Sequence, residues 1–322
     1  MSKFLDIVYK AVPAALIAAG IVFGTLIELG ILDLDKVAEK LDEPAYSTYD
    51  IGIGEDDSAN IPNEAKNFSV NVIDVGQGDS ILVICGGKGM LIDAGTAENG
   101  ELVTEAVKSS GIKKLDMIIV THPHADHIGG MAKVVSEIGA KRIIIPKLPD
   151  SMTPTTKTYE NFLTAVRDSG GKLTSAKAGN SYELGEAAVT ILYPFEDTNS
   201  SDLNDWSVCA RVDYKNISWL FTGDLSEDGE QRLINSGADL DVTAYKAGHH
   251  GSRTSSSEDF LNEVTPRLCV ISCGEGNSYG HPAKEALGRM EAQTDRVYRT
   301  DKDGGITFYS DGEKIYVSRN KN

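Results

Sequence analysis

The chain has 322 residues, of which 41% are hydrophobic and 25% charged, an ordinary balance for a globular protein that can bury a core. Its formal net charge of -17 argues against nucleic-acid binding that is driven by a basic surface alone. An anionic substrate is still possible, because bound metal ions would supply local positive charge.

The amino terminus contains an apolar segment. Residues 11–27 are all apolar, Gly, Pro or Thr; Glu28 interrupts the run and residues 29–32 continue it. This is close to the lower limit of about 20 residues for a membrane-spanning helix. Lys3 and Lys10 precede the run, so the positive-inside rule predicts a single-pass membrane protein with its remaining chain outside the cell. A cleaved signal peptide and a buried helix are the alternatives to this predicted anchor over residues 1–32.

Residues 33–67 are strongly acidic. From Asp33 to Lys66 there are ten acidic and three basic residues, together with Pro44 and Pro62. Such a composition buries too little apolar surface to compensate for the entropy lost on ordering. We therefore predict an acidic flexible linker over 33–67 and a folded domain over 68–322.

The first half of this domain predicts strands separated by glycines. The alternating stretch 68–75 is followed by strands within 80–85 and 90–93, and by helical spacing over 100–110. Residues 115–120 form a short continuous apolar run, typical of a buried strand. A helix is predicted from about Ile128 to Ile138.

The second half repeats this style. Strands are predicted over 208–214, 218–221, 241–245, 268–272, 296–299, 305–309 and 314–318, and helices over 226–236, 256–264 and 283–292. Two strand-rich halves with interspersed helices indicate two packed sheets with helices outside.

A cluster of metal-binding side chains follows the strand at 115–120. His122, His124, Asp126 and His127 place four such groups within six residues. Neutral imidazoles and carboxylates are ligands that zinc, manganese or iron accept at neutral pH. A single histidine is more often structural, but four groups on one loop are hard to explain as packing.

The string from His122 to His127 resembles the signature of the metallo-β-lactamase superfamily. Further strings resemble its ComEC-type subset, the hydrolase domain of DNA-uptake channel proteins and free-standing relatives. They are DVGQGDS at 74–80, LFTGDL at 220–225, KAGHHGS at 246–252, NSYGHP at 277–282 and TDKDGGI at 300–306. The resemblance covers roughly residues 68–318 and implies an αββα sandwich with metals at one edge.

The resemblance also implies roles for individual residues. His122 and His124 are expected to hold a first divalent metal, and Asp126 and His127 a second, with Asp224 bridging the two. Either His249 or His250 could complete the second site. We favour His249 as that ligand, with His250 facing the substrate, and expect Asp126, His250 and His281 to be the catalytic residues.

Two of these expectations have a structural alternative. Asp93 is expected either to orient a ligand histidine or to lie in a turn. His281 is expected to contact the phosphate or to protonate the leaving group, or else to be an ordinary loop residue.

One departure from the wider superfamily concerns the first metal. Most members have a histidine some twenty residues before the bridging aspartate, whereas this chain has Asn204 and Asp205 there. Oxygen ligands would favour Mn²⁺ over Zn²⁺ or leave the site partly filled. Lys246 and Arg253 flank the histidine pair and are candidates either for contact with an anion or for ordinary surface charges.

The function expected from these residues is extracellular, metal-dependent hydrolysis of a phosphodiester such as DNA or a cell-envelope polymer. A water held between two divalent ions, Zn²⁺ or Mn²⁺, would be the nucleophile. No organic cofactor is expected, and the membrane would be a partner through residues 11–32. The alternatives are hydrolysis of a phosphocholine ester or other envelope ester, and a metal-binding interaction module without turnover.

The cysteines and tryptophans are expected to be structural. Cys85, Cys209, Cys269 and Cys273 form no CxxC pair and lie in apolar runs, which indicates buried thiols rather than a zinc knuckle. A Cys269–Cys273 disulfide is the less favoured alternative. Trp206 and Trp219 are predicted to be core residues, to judge from their surroundings.

Overall fold

A computed structural model describes residues 53–54 and 61–320. The strands described are β1 Ile53–Gly54, β2 Phe68–Val72, β3 Ile81–Cys85, β4 Lys88–Ile92, β5 Leu115–Ile119, β6 Ala140–Ile145, β7 Lys172–Ser175, β8 Ser181–Leu184, β9 Ala187–Tyr193, β10 Cys209–Tyr214, β11 Ile217–Phe221, β12 Ala244–Lys246, β13 Leu268–Ile271, β14 Val297–Arg299, β15 Ile306–Ser310 and β16 Ile315–Arg319. The α-helices described are α1 Gly100–Ser109, α2 Ala125–Ile128, α3 Met131–Glu137, α4 Lys157–Ser169, α5 Glu227–Asn235, α6 Glu258–Val264, α7 Lys284–Gln293 and α8 Thr300–Asp303.

The strands form two sheets. The first has the order β1-β16-β15-β2-β3-β4-β5-β6-β7, and the second β14-β13-β12-β11-β10-β9-β8. Strands β4 to β7 are parallel to one another, as are β11 to β14. Because parallel strands end at the same edge of a sheet, the loops that follow them are brought together.

The core lies between the sheets. One apolar cluster joins side chains of both, including Val83 and Ile119 from the first sheet and Val212 and Trp219 from the second. A second cluster packs α1, α3 and α4 on the outer face of the first sheet, and a third packs α5, α6 and α7 outside the second. The predicted αββα architecture, with two sheets inside and helices outside, is therefore confirmed.

Most predicted elements are present with small shifts, but the helix predicted over 128–138 is wrong in its start. The chain is helical already from Ala125 to Ile128, breaks, and resumes at Met131. Gly129 and Gly130 occupy the break, where a Cβ on Gly129 would overlap the backbone of Thr96 and Ala97. The helical turn Ala125–Ile128 therefore ends where the loop at Thr96 and Ala97 comes close, a contact that the apolar periodicity of the sequence cannot predict.

Part of the segment predicted to be a linker has a place in the fold. Ile53–Gly54 pairs in parallel with Ile315 and Tyr316, and a 3₁₀ turn at Glu64–Asn67 buries Ala65 completely. The predicted anchor over residues 1–32 lies outside the described residues. None of the helices described over residues 61–320 combines the length and apolar character needed to cross a membrane.

The cysteine and tryptophan predictions are confirmed. All four thiols are buried and free, so the Cys269–Cys273 disulfide is wrong. Trp206 is 6% exposed and Trp219 is 1% exposed. Trp219 packs edge-on against Phe308 across the interface between the sheets, with ring centroids 5.1 Å apart.

Candidate metal centre

The loops after the parallel strands carry the polar side chains that sequence analysis singled out. Asp93 follows β4, His122 follows β5, Asp224 follows β11, and the pair His249-His250 follows β12. The ends of strands from both sheets thus lie at one edge of the sandwich. Open sheets with parallel strands commonly place their chemistry at this edge.

Four side chains meet closely there. Asp126, His127, Asp224 and His250 each offer one ligand atom, and these atoms lie within 4.8 Å of one another. The carboxylate of Asp224 is shared: its Oδ1 lies 3.3 Å from His127 Nε2, and its Oδ2 lies 3.5 Å from His250 Nε2. Oδ2 of Asp126 is also 3.5 Å from His250 Nε2.

His122 and His124 lie beside His127 and Asp224. His122 Nε2 lies 2.9 Å from His124 Nδ1 and 3.9 Å from Asp224 Oδ2, and the ring centroids of His122 and His127 are 4.2 Å apart. His122 is fully buried, and Ser207 Oγ is 3.5 Å from its Nδ1. The structure thus brings the residues expected to hold two metals to one place, with the carboxylate of Asp224 close to both His122 and His127.

The histidine pair adopts a strained backbone. His249 and His250 both have positive φ, 49° and 55°, in the left-handed region that side chains with a Cβ seldom occupy. Both rings thereby reach Asp224, since His249 Nε2 also lies 3.5 Å from Oδ2. His250 belongs to the four-residue cluster and is buried, whereas the His249 side chain is 26% exposed.

Buried hydrogen-bond partners orient two of these rings. Asp93 Oδ2 lies 2.8 Å from His127 Nδ1, and Thr121 donates to the same carboxylate from its backbone N–H and its hydroxyl. His250 Nδ1 lies 3.0 Å from the carbonyl oxygen of Ser272, and the Asp79 carboxylate is 3.3 Å from the same nitrogen. A partner on one ring nitrogen leaves the other nitrogen free to bind a metal.

Sequence reasoning missed the part played by Asp79. Its side chain is buried and pairs with Lys246, whose Nζ lies 2.9 Å from Asp79 Oδ2. Lys246 is 1% exposed, so both proposals made for it, an anion contact and a surface charge, are wrong. The sequence signal for this site was the string Gly76-Gln77-Gly78 before Asp79. Gly78 allows the chain at Asp79 to approach the metal-binding loop closely, because a Cβ on Gly78 would overlap the carbonyl of Asp126.

The residues present fit divalent metals. His127 Nε2, Asp224 Oδ1 and His250 Nε2 are buried atoms without a hydrogen-bond partner, and all three belong to residues of the cluster. A buried polar atom without a partner costs about 1–3 kcal/mol, which metal coordination would relieve. Imidazole nitrogens and carboxylate oxygens are also the donor set of zinc and manganese sites.

The charges of the cluster favour a cation. Burial by itself would lower the pKa of His127, but the carboxylates of Asp224 and Asp93 outweigh it and hold that pKa well above its ordinary value. Burial would raise the pKa of Asp126, yet the nearby imidazoles of His250 and His127 lower it to about 2. The carboxylates of Asp126 and Asp224 thus stay ionised and stabilise positive charge between them.

Asn204 and Asp205 differ as candidate ligands of the metal expected at His122 and His124. Asp205 is engaged by the hydroxyls of Ser200 and Ser226, while Asn204 Oδ1 is buried without a hydrogen-bond partner. Both belong to the short turn Asn204–Trp206 that precedes Ser207, the neighbour of His122. An unpaired amide oxygen makes Asn204 the better candidate ligand of the two.

His281 reaches the same edge from the loop after β13. Its ring centroid lies 5.7 Å from that of His249 and 6.4 Å from that of His250, and its Nδ1 is buried without a partner. Arg253 is exposed two residues beyond Gly251. Their predicted contacts with a substrate remain predictions.

The loop that follows the histidine pair is anchored by a buried acid. Glu230 on α5 is fully buried and accepts hydrogen bonds from the backbone N–H groups of Ser256 and Ser257, at 2.5 and 2.9 Å. From the other side, Arg289 donates to the carbonyls of Ser255 and Ser256. These contacts hold the segment between His250 and α6 from both sides.

Glu230 makes the stability of the metal-free protein depend on pH. Burial, opposed by the hydrogen bonds from Ser257 and Ser256, raises its pKa from 4.5 to about 7. Because the folded-state pKa is raised, the stability it contributes is present below pH 4.5 and is lost as pH rises through 7. In wild type the free energy of unfolding should fall between pH 5 and pH 8. In Glu230→Gln we expect this fall to be about 2–3 kcal/mol smaller.

Urea unfolding of the metal-free protein at both pH values would measure this. Glu227→Gln is the matched control, because Glu227 lies exposed on the same helix. Parallel pH profiles for wild type and Glu230→Gln would contradict the assignment.

Two packed sheets with outer helices, and a histidine–aspartate cluster at the edge between them, define a class of proteins: αββα sandwiches whose edge loops form a candidate divalent metal site. Residues 73–275 match the metallo-beta-lactamase superfamily, and the chain belongs to that superfamily. Its fold is that of proteins that are generally metal-dependent hydrolases.

Its relatives are ComEC-type proteins. The chain is 32% identical over 265 residues to ComE operon protein 3 of Bacillus subtilis, covering 77% of this chain and 34% of the relative. It is 31% identical over 248 residues to competence protein ComA of Neisseria gonorrhoeae, covering 76% and 32%. The chain thus spans about a third of the length of these relatives. Among solved structures, a CmlA β-hydroxylase mutant matches with a TM-score of 0.50 and 12% identity over 74% of this chain and 52% of that one, which shows the fold alone.

Proposed function

We propose that this domain is a metal-dependent phosphodiesterase or nuclease. The observation that carries the proposal is the set of buried, unpartnered ligand atoms on His127, Asp224 and His250. Two further imidazoles, those of His122 and His124, lie next to them. Relatives named for competence point to DNA as the context of the phosphodiester.

The residues would divide the work as follows. His122 and His124 would hold one divalent ion, Asp126, His127 and His250 the other, and Asp224 both. Bound together, two such ions activate water and neutralise the charge of phosphate oxygens. Asp93 and the carbonyl of Ser272 would keep the rings of His127 and His250 in the tautomer that binds metal. His281, next to His249, would contact the phosphate or the leaving group.

The site near Asn204 bears on metal choice. With an amide oxygen in place of a third imidazole, the first site would prefer Mn²⁺ over Zn²⁺. A weak first site would fill more readily when substrate phosphate supplies a ligand. We expect turnover to require added Mn²⁺. We also expect turnover in the presence of substrate to saturate at a lower Mn²⁺ concentration than Mn²⁺ binding does in its absence. Full activity from one tightly bound zinc, with no response to Mn²⁺, would contradict this.

A substrate comparison tests the proposed activity. The full-length protein would be assayed with Mn²⁺ or Zn²⁺ on single-stranded DNA, double-stranded DNA, bis-p-nitrophenyl phosphate, p-nitrophenyl phosphocholine and a cephalosporin. Hydrolysis of the diesters, abolished by a chelator and restored by metal, is the expected result. Turnover of only the cephalosporin or the phosphocholine ester would overturn the proposal.

A second candidate is hydrolysis of a phosphocholine ester on an envelope polymer. The acidic balance of the chain, with a net charge of -17, favours a cationic head group over a polyanion. Faster turnover of p-nitrophenyl phosphocholine than of any DNA would support this candidate. Metal binding without turnover of any substrate would instead indicate an interaction module.

We also propose that residues 1–32 anchor the protein in the cell membrane with its domain outside. The support is the apolar run after Lys3 and Lys10. Protease treatment of intact cells should release the domain. A domain that is degraded only after lysis would contradict this topology.

A further inference from the structure

Tyr279 is an unusually exposed aromatic side chain. It is 70% exposed, whereas the other large apolar side chains on the described surface, Leu102 and Leu173, are 47% and 44% exposed. Its ring stacks on that of His281, with centroids 5.7 Å apart and planes 24° from parallel. A stacked ring that leaves most of its surface in water offers a flat apolar face to a ligand.

The loop that carries this ring is held in place by Asn277. The Oδ1 atom of Asn277 accepts from the backbone N–H groups of Tyr279 and His281, at 3.1 and 3.0 Å. Its Nδ2 atom donates to the carbonyls of Gly274 and His281, at 2.9 and 2.5 Å. A preorganised ring loses little conformational entropy when a ligand stacks on it.

The ring also stands next to the candidate metal centre. His281, which stacks on Tyr279, lies 5.7 Å from His249 between ring centroids. His249 Nε2 is in turn 3.5 Å from the shared carboxylate of Asp224. In addition, Ala283 donates to the carbonyl of Gly251, which ties this loop to the segment of the histidine pair. Tyr279 is therefore at the rim of the cluster, two rings away from it.

We propose that Tyr279 is a stacking platform for a nucleobase of single-stranded nucleic acid whose phosphate lies at the metal centre. The inference rests on the proposed phosphodiesterase function and names its substrate class. Bases stack on aromatic side chains irrespective of sequence, because every base has a π-face. With a net charge of -17 the protein attracts the phosphate backbone little away from the metals, so base stacking would position the rest of the strand. In a duplex the bases already stack on one another, so a single strand is required.

A cycle that removes the tyrosine ring and the base in turn tests this. The substrates are a single-stranded oligonucleotide and the same oligonucleotide with tetrahydrofuran abasic residues. On the first substrate Tyr279→Ala should raise KM roughly 5- to 160-fold, the range of one base–aromatic stack, and change kcat less than about 2-fold. On the abasic substrate the KM of Tyr279→Ala should exceed that of wild type by less than about 2-fold. Tyr279→Phe keeps the ring and should resemble wild type, as should Leu102→Ala, an exposed apolar control on α1.

The outcomes separate this inference from the proposed function. If wild type hydrolyses the oligonucleotide and Tyr279→Ala has the same effect with and without bases, the stacking platform is overturned. If wild type hydrolyses no oligonucleotide, the proposed nuclease activity fails, and binding decides the inference. Quenching of a 2-aminopurine-labelled single strand by wild type and Tyr279→Phe, but not by Tyr279→Ala, would support stacking. No quenching by wild type would overturn it.

Discussion

Replacing Asp224 by alanine is expected to abolish hydrolysis and to remove at least one metal ion. Its carboxylate is 2% exposed and lies within 4 Å of ring nitrogens of His122, His127, His249 and His250. Although burial would raise its pKa, the charges of His127 and His250 hold it well below its ordinary value. The change therefore leaves facing imidazoles without the anion that both metals would share.

The expected loss of turnover is more than about 100-fold, because even residues that only support a metal ligand are worth 10- to 100-fold. Metal content by mass spectrometry and turnover of bis-p-nitrophenyl phosphate would be measured together. Asp224→Asn keeps the shape and tests whether the charge is required. Asp213→Ala, in an ion pair with Arg211 on β10, is the matched control and should keep its metals. A variant of Asp224 with both metals and full rate would contradict the bridging role.

Replacing Lys246 by methionine is expected to destabilise the domain strongly. Lys246 and Asp79 form an ion pair in which the side chains are only 1% and 2% exposed. Methionine leaves Asp79 buried with His250 as its nearest cation, and breaking such a pair costs about 3–5 kcal/mol. For a domain of this size that lowers Tm by roughly 10 °C. Because the Asp79 carboxylate also lies 3.3 Å from His250 Nδ1, metal affinity should fall with stability.

Thermal unfolding of the metal-free and metal-loaded protein would check this. Lys141→Met is the matched control: its ion pair with Asp116, at 2.6 Å, is exposed and screened by solvent, so its loss should change stability little. Lys246→Met combined with Asp79→Asn should be more stable than Lys246→Met alone, since no unpaired charge then stays buried. A Tm for Lys246→Met equal to that of the Lys141 control would refute the structural role of the pair.

The sequence by itself determined the architecture and most of the site. Over residues 68–138 and 208–318 the period-two and period-3.6 apolar patterns placed eleven of the sixteen described strands and five of the eight α-helices within a few residues, because burial on one face must repeat with the period of the backbone. Clustering of His122, His124, Asp126 and His127 within six residues identified the candidate metal centre, since such groups seldom coincide for packing reasons.

Contacts between distant segments were decided only by the tertiary structure. Whether Lys246 met solvent or an acid depended on Asp79, which is 167 positions away along the chain and carries no periodic signal. The break at Gly129–Gly130 likewise depends on the backbone of the loop around Thr96, which approaches too closely for side chains. Local patterns report which face of an element is buried, but not what it is buried against.

The histidine pair illustrates the same division. From the sequence, either His249 or His250 could be the ligand, and we favoured His249, with His250 facing the substrate. Their left-handed backbone, fixed by the close packing of Gly248 and Gly251 around them, turns both rings toward Asp224 and leaves His250 buried and His249 partly exposed. Side-chain chemistry along the chain thus determined what could bind here. The three-dimensional path of the loops decided which atoms face one another, because the direction of a side chain depends on backbone angles that packing imposes.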